Sequence, residues 1–321
     1  MTLASTAGPA GTRILGLGHY RPGNVITNHD LIARGVDTDD EWIKSRVGIT
    51  ERRWADPDET IVDMAEQAGS KALAASGVAA SEVDLVLVAT CTMPTPVPSA
   101  APALAHRLGI EAPGAYDVNS GCSGFVYALN TASAAVLTGQ ARNVLVVASE
   151  RFSGWLDMAD RSTCIILADA AGAAVVGPSD AIGLGPVVWG SDGEQAGTVT
   201  IDEDSRFFQQ EGQAVYRWAT GEMAPVALAA CERAGVDPSE IAAFVPHQAN
   251  LRIIDALARR IGLPNAIVAR DIETSGNTSA ATIPLALSRM VERGEIPSGA
   301  PVLLLGFGAG LAYAGQVVLA P

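Results

Sequence analysis

The chain has 321 residues, 48% of them hydrophobic and 5% aromatic, with a formal net charge of −14. That length supports a core well past marginal size, in one large domain or two medium ones. The acidic balance argues against nucleic acid as a partner, since phosphate binding needs a basic footprint, and no run approaches the roughly 18 uninterrupted apolar residues of a membrane span.

In chain order, residues 1–12 (MTLASTAGPAGT) lack a basic segment followed by a sustained apolar one, so they do not read as a signal peptide and are expected to form a disordered tail. TIVDMAEQAGSKALAASG (60–77) has helical spacing and stops at Gly77. DLVLVAT (84–90) and NVLVVAS (143–149) are near-continuous apolar runs, expected as strands buried on both faces. The stretch 192–213, with IDEDSRFFQQ, has weak periodicity and many charges, which predicts irregular surface. TGEMAPVALAACERAG (220–235) predicts a helix closing on Gly235. Alternation of short β-rich runs with Ala-rich helices indicates an α/β architecture. Four cysteines, Cys91, Cys122, Cys164 and Cys231, are far apart with no C-x-x-C pair, which argues against a zinc site or disulfide framework and suits a reducing cytoplasm.

Comparison of the chain with itself reveals a repeat. SEVDLVLVATCT (81–92) resembles SEIAAFVPHQAN (239–250), and NVLVVAS resembles PVLLLGFG (301–308), both at an offset of 158. Between them YDVNSGCSGF (116–125) resembles DIETSGNTSA (271–280), aligning SGC with SGN at an offset of 155. The halves read as two copies of one βα unit, with the boundary near residue 180. This alignment makes Cys122 and Asn277 equivalent, each at a strand-to-helix junction, and brings His247 to a strand end in the second copy.

A cysteine between Gly121 and Gly124 has two readings. It is a small apolar core residue, or it is a nucleophile whose thiol pKa a helix N-terminus lowers and a nearby imidazole assists. The aligned Asn277 and His247 favour the second. GFGAGLAYAG does not complete a dinucleotide-binding G-x-G-x-x-G, because Leu311 stands at the third glycine.

GCSGFVYAL, PHQANLRII, SGNTSAA and GFGAGLAYAG resemble the signature segments of β-ketoacyl-acyl-carrier-protein synthase III, in the thiolase superfamily. DDEWIKSRVGITERR and ADRSTCIILADAAGAAVVG are also similar to that family, and the resemblance runs from about Arg13 to Pro321. It implies a thiolase-like duplicated five-layer αβαβα sandwich, with one half over 13–180 and the other over 181–321. It implies a cytoplasmic homodimer that needs no cofactor. Its substrates would be an acyl-CoA and malonyl-acyl carrier protein, joined by decarboxylating condensation through an acyl-Cys122 intermediate. By the same match His247 and Asn277 stabilise the enolate, and the backbone N–H groups of Cys122 and Ala309 form an oxyanion hole. Phe307 lies beside the nucleophile. Trp42 and Arg161 sandwich the CoA adenine, Arg46 meets its nucleotide end, and Asn250 holds the pantetheine arm or a water network. Arg252, Arg259 and Arg260 on one helix face the acidic carrier protein. Val97 stands where some members carry an aromatic that closes the partner subunit's acyl pocket, which predicts starters beyond acetyl. The alternatives are an acyltransferase of the same fold that releases no carbon dioxide, and a non-catalytic partner subunit, which would not need all of Cys122, His247 and Asn277.

Overall fold

A computed structural model describes residues 8–321. The first half contains β1 (Gly11–Tyr20), β2 (Asn24–Thr27), α1 (Asn28–Ala33), α2 (Asp40–Val47), β3 (Glu51–Trp54), α3 (Ile61–Ser76), β4 (Leu85–Ala89), α4 (Ala100–Arg107), β5 (Gly114–Val118), α5 (Gly124–Leu137), β6 (Val144–Arg151), α6 (Arg161–Cys164) and β7 (Asp169–Ser179). The second contains β8 (Val188–Ser191), β9 (Val199–Ile201), β10 (Phe208–Gln210), α7 (Gly212–Ala234), β11 (Ala243–Pro246), α8 (Leu251–Ile261), β12 (Ile267–Val268), α9 (Ile272–Ser275), α10 (Thr282–Glu292), β13 (Pro301–Gly308) and β14 (Ala312–Leu319). Residues 1–7 of the expected tail lie outside the described residues, while Gly11 and Thr12, also assigned to that tail, begin β1 opposite Ser179 and Pro178.

Each half builds one five-stranded mixed sheet, in the orders β1-β7-β6-β4-β5 and β12-β11-β13-β14-β8. The expected strands buried on both faces are β4 and β6, parallel neighbours from Leu85 opposite Val144 to Ala89 opposite Ala148. One core lies between the sheets, where Phe125, Leu129 and Val136 of α5 meet Ile283, Leu287 and Met290 of α10. On the outer faces α3 and α4 cover the first sheet, and α7 and α8 cover the second. The order α, β, α, β, α is a five-layer sandwich. Small residues make the central layer possible: Ala128 and Ala132 on α5 and Ala286 on α10 are fully buried, so two helices fit between two sheets. Among the described residues no helix is long and apolar enough to cross a membrane.

Local signals explain the helix limits. Thr60 caps α3 in a reciprocal capping box with Asp63, and Gly77 ends it in the left-handed conformation. Gly235 ends α7 in the same way. That helix begins at Gly212, eight residues before its expected start, because Tyr216, Trp218 and Ala219 extend a buried face that charge and polarity masked in the sequence. The stretch 192–213 is mostly surface, as expected, but it is not irregular. It holds the hairpin β9–β10, whose charged tip is a turn in which Asp202 accepts from the amide and the hydroxyl of Ser205, both at 2.7 Å.

The repeat is real, but its register at the central helices differs from the sequence alignment. Gly77 and Gly235, the starts of β4 and β11, and the starts of α5 and α10 all stand 158 residues apart. So do the 3₁₀ turns Gly121–Ser123 and Ser279–Ala281. The structural counterpart of Cys122 is therefore Ala280, not Asn277, which lies three residues earlier.

Candidate active site

Where the two helices of the central layer begin, the halves meet at one cavity of about 620 Å³. Cys122, His247 and Asn277 all line it, together with Phe307, Ala309 and Ser279. Cys122 sits in the single turn that feeds α5. Gly121, at φ +48°, adopts a left-handed conformation that a Cβ disfavours by about 1–2 kcal/mol. A Cβ on Gly308 would lie 2.7 Å from that of Cys122, so only glycine lets β13 approach the cysteine this closely.

The thiol does not have the lowered pKa expected from its helix position. Burial pushes it up to about 11; the Ser279 hydroxyl opposes this, the charge of Glu150 adds to it, and the N–H groups of Cys122 and Ala309 oppose it. Cys122 keeps some contact with the cavity, but protein surrounds the sulfur closely enough for desolvation to outweigh the helix end. Those two N–H groups are the ones expected to form the oxyanion hole. A thiol raised this far is neutral at pH 7.

His247 directly follows β11, and its amide donates to the Leu305 carbonyl at 2.8 Å. Its ring packs edge-on against Phe307, with centroids 5.3 Å apart. Burial lowers its pKa to about 3, so it is neutral at pH 7. Its Nδ1 lies 2.8 Å from the Thr282 hydroxyl. That hydroxyl has one hydrogen, which it donates to the Ser279 carbonyl at 2.8 Å. Nδ1 must then be the donor to Thr282, which leaves the lone pair on Nε2.

Asn277 is held on three sides. Its amide donates to the Ile166 carbonyl and its carbonyl accepts from the Ala168 amide, both at 2.9 Å, which ties the two halves together. Its side-chain oxygen accepts from the Ser279 amide at 2.8 Å, so the NH₂ is the free end.

Behind the cysteine lies a buried carboxylate that the sequence did not single out. Glu150 accepts from the hydroxyls of Thr90 (3.1 Å) and Thr92 (2.5 Å) and from the amide (3.1 Å) and thiol (3.2 Å) of Cys91. Burial raises the pKa of Glu150 and lifts the Cys91 thiol well above the ordinary range.

The remaining expected residues divide. Trp42, Arg46, Asn250 and Arg252 line the cavity. Arg161 does not; it lies over the Trp42 ring at 4.8 Å and donates to the Asp37 carbonyl at 2.8 Å, so a flat base enters between the two only if the guanidinium moves. The Asn250 amide is committed at both ends, accepting from the Arg252 amide as the cap of α8 and donating to the Arg46 carbonyl at 3.2 Å. It is a tether between α8 and α2 and not a free arm. Arg252 stacks on Tyr216 at 5.5 Å, and Arg259 is exposed. Arg260 instead donates to the Thr220 carbonyl of α7, which commits it within the fold. Val97 is 79% exposed and lines no part of its own subunit's cavity. Sequence reasoning missed Ser279 and the hairpin residues Val199 and Phe208, which wall the cavity, and Thr282, which meets Nδ1 of His247.

This duplicated architecture is the thiolase fold. Profiles described as 3-oxoacyl-[acyl-carrier-protein] synthase III and as its C-terminal part match residues 116–193 and 231–319. β-Ketoacyl-[acyl-carrier-protein] synthase III 4 of Streptomyces coelicolor is 52% identical over 97% of this chain and 99% of its own. The mycobacterial β-ketoacyl-[acyl-carrier-protein] synthase III of Mycolicibacterium paratuberculosis is 46% identical over 99% and 98%. The solved structure of the priming β-ketosynthase from the R1128 polyketide biosynthetic pathway superposes with a TM-score of 0.96 at 44% identity, covering 100% of this chain and 99% of that one. The chain belongs to the β-ketoacyl-[acyl-carrier-protein] synthase III family.

Proposed function

We propose that the protein condenses a short acyl-CoA with malonyl-acyl carrier protein, giving a 3-oxoacyl-carrier protein two carbons longer, carbon dioxide and CoA. The reaction would start a fatty acid or polyketide chain. The observation that carries this reading is the meeting of Cys122, His247 and Asn277 at one cavity, with the free ends of the last two in defined chemical states.

Acylation comes first. The Cys122 sulfur attacks the thioester carbon while its proton passes to Nε2 of His247, the nitrogen that holds a lone pair. The N–H groups of Cys122 and Ala309 receive the negative oxygen of the tetrahedral intermediate, whose collapse releases CoA as a thiolate. His247 holds that proton as an imidazolium only while an anion faces it, first the tetrahedral oxyanion and thiolate and then the incoming malonyl carboxylate, and it donates from both nitrogens. Malonyl-carrier protein enters, its carboxylate leaves as carbon dioxide, and Nε2–H of His247 with the NH₂ of Asn277 stabilises the enolate. The enolate carbon attacks the acyl-Cys122 carbonyl, the carbon–sulfur bond breaks, and the returning thiolate recovers its proton from His247. Atoms and protons balance with the two thioesters alone, so no cofactor enters.

Arg46 and Arg252 at the cavity rim give an acidic protein a local basic patch, which supports an anionic CoA nucleotide and an acidic carrier protein as ligands. A homodimer is supported by β5, an edge strand with Tyr116 43% exposed, and by Val97, which is exposed and lines no part of its own cavity. The test is carbon dioxide release from malonyl-carrier protein in the presence of acyl-CoA. Stoichiometric release with chain extension is expected; acyl transfer to a hydroxyl or amine with no release would overturn the reading.

A further inference from the structure

The two 3₁₀ turns that open the central helices share an unusual backbone. Gly121 has φ +48°, and its counterpart 158 residues on, Ser279, has φ +50°. The first half fills this left-handed position with glycine, the residue suited to it. The second half fills it with a serine that is 1% exposed, although a Cβ disfavours that conformation. A disfavoured residue that persists where glycine would fit points to a role for its side chain.

Every polar group of Ser279 is directed at the site. Its amide donates to the Asn277 side-chain oxygen at 2.8 Å. Its carbonyl accepts from the Thr282 hydroxyl, which in turn holds Nδ1 of His247. Its hydroxyl donates to the Cys122 sulfur at 3.4 Å. On the far side that hydroxyl lies 3.7 Å from the Cys91 sulfur, whose own hydrogen is directed at Glu150 at 3.2 Å. The groups that titrate around the nucleophile are therefore His247, Cys91 and Glu150, and Ser279 separates the first from the other two.

We propose that Ser279 is the positioning residue of this site: its backbone orients Asn277 and His247, and its hydroxyl stabilises the thiolate that forms on Cys122 during attack. The proposal rests on the reading of Cys122 as the nucleophile. Its left-handed backbone is what allows a single residue to present N–H, C=O and hydroxyl to three different partners. The Cys91–Glu150 pair takes up the neighbouring thiol hydrogen, which leaves the Ser279 hydrogen for Cys122.

The test is iodoacetamide alkylation of Cys122, followed by mass spectrometry between pH 7 and 9 in Ser279→Gly and Ser279→Ala. Glycine relaxes the backbone and keeps both backbone bonds, so its thermal midpoint is expected at or above that of wild type. Alkylation is expected to slow roughly three- to tenfold in both variants across the range, with fewer thiolates partly offset by their greater nucleophilicity. Because Asn277 and Thr282 keep their partners in Ser279→Gly, its decarboxylation of malonyl-carrier protein is expected to fall less than its acylation by acyl-CoA. Alkylation of Ser279→Gly at the wild-type rate would overturn the role of the hydroxyl, and a fall in its decarboxylation as large as that in its acylation would overturn that of the backbone. If instead wild type forms no acyl adduct while Ser279→Gly still slows alkylation, the nucleophile reading fails and the positioning geometry stands.

Discussion

Thr282→Val exchanges the hydroxyl on which the state of His247 depends for a methyl of nearly the same size. In the native site Thr282 accepts from Nδ1–H and donates to the Ser279 carbonyl, both at 2.8 Å. Valine leaves a buried Nδ1–H without an acceptor, at a cost of about 1–3 kcal/mol. The ring lowers that cost by moving its proton to Nε2, which faces the cavity. Nε2 then can donate but cannot accept. Acylation, which needs the lone pair, is expected to slow about 10- to 100-fold, each 1.4 kcal/mol being worth a factor of ten. Decarboxylation, which needs the Nε2 hydrogen, is expected to change far less. The assay is rapid-quench mass spectrometry of acyl-Cys122 formation beside release of labelled carbon dioxide from malonyl-carrier protein. Thr282→Ser keeps both hydrogen bonds and is expected to behave as wild type. An equal fall in both half-reactions of Thr282→Val, or undiminished acylation, would refute the tautomer argument.

Other outcomes follow from the same geometry. Because burial raises the Cys122 thiol to about 11, above its ordinary 9.0, thiolate is scarce at neutral pH and alkylation of the free enzyme should rise about tenfold per pH unit from 7 to 9; a flat profile would mean that the thiolate is already formed at pH 7. Arg252→Glu should lower turnover with malonyl-carrier protein and spare acylation by acyl-CoA, as measured in the separate half-reactions, and equal losses would place Arg252 outside the docking surface. Steady-state comparison of acetyl-CoA with isobutyryl-CoA should show that both are accepted, since Val97 leaves more room than an aromatic; strict acetyl preference would contradict this.

Much of the architecture was legible because its signals are local. The apolar runs of β4 and β6 are long enough to require burial on both faces, and Thr60, Gly77 and Gly235 mark helix ends by cap chemistry. The repeat placed Cys122, His247 and Asn277 near one another, and they do share a cavity, although the alignment paired the wrong residues. SGC and SGN look alike because each has a Ser-Gly pair, but the left-handed residue in the second turn is Ser279, which carries no glycine to announce it. The hairpin β9–β10 was hidden because three-residue strands are too short to show alternation, and its charges belong to a turn. The protonation states were not legible at all. They depend on how much protein surrounds Cys122 and His247, and on the single hydrogen of Thr282, none of which any spacing encodes.

Intact-mass analysis after mixing the protein with a panel of acyl-CoAs tests the central claim most directly. Wild type should gain the mass of one acyl group per chain, the adduct should disappear in Cys122→Ala, and added malonyl-carrier protein should discharge it with release of carbon dioxide. An acyl adduct that persists in Cys122→Ala, or one that malonyl-carrier protein leaves in place, would contradict the account.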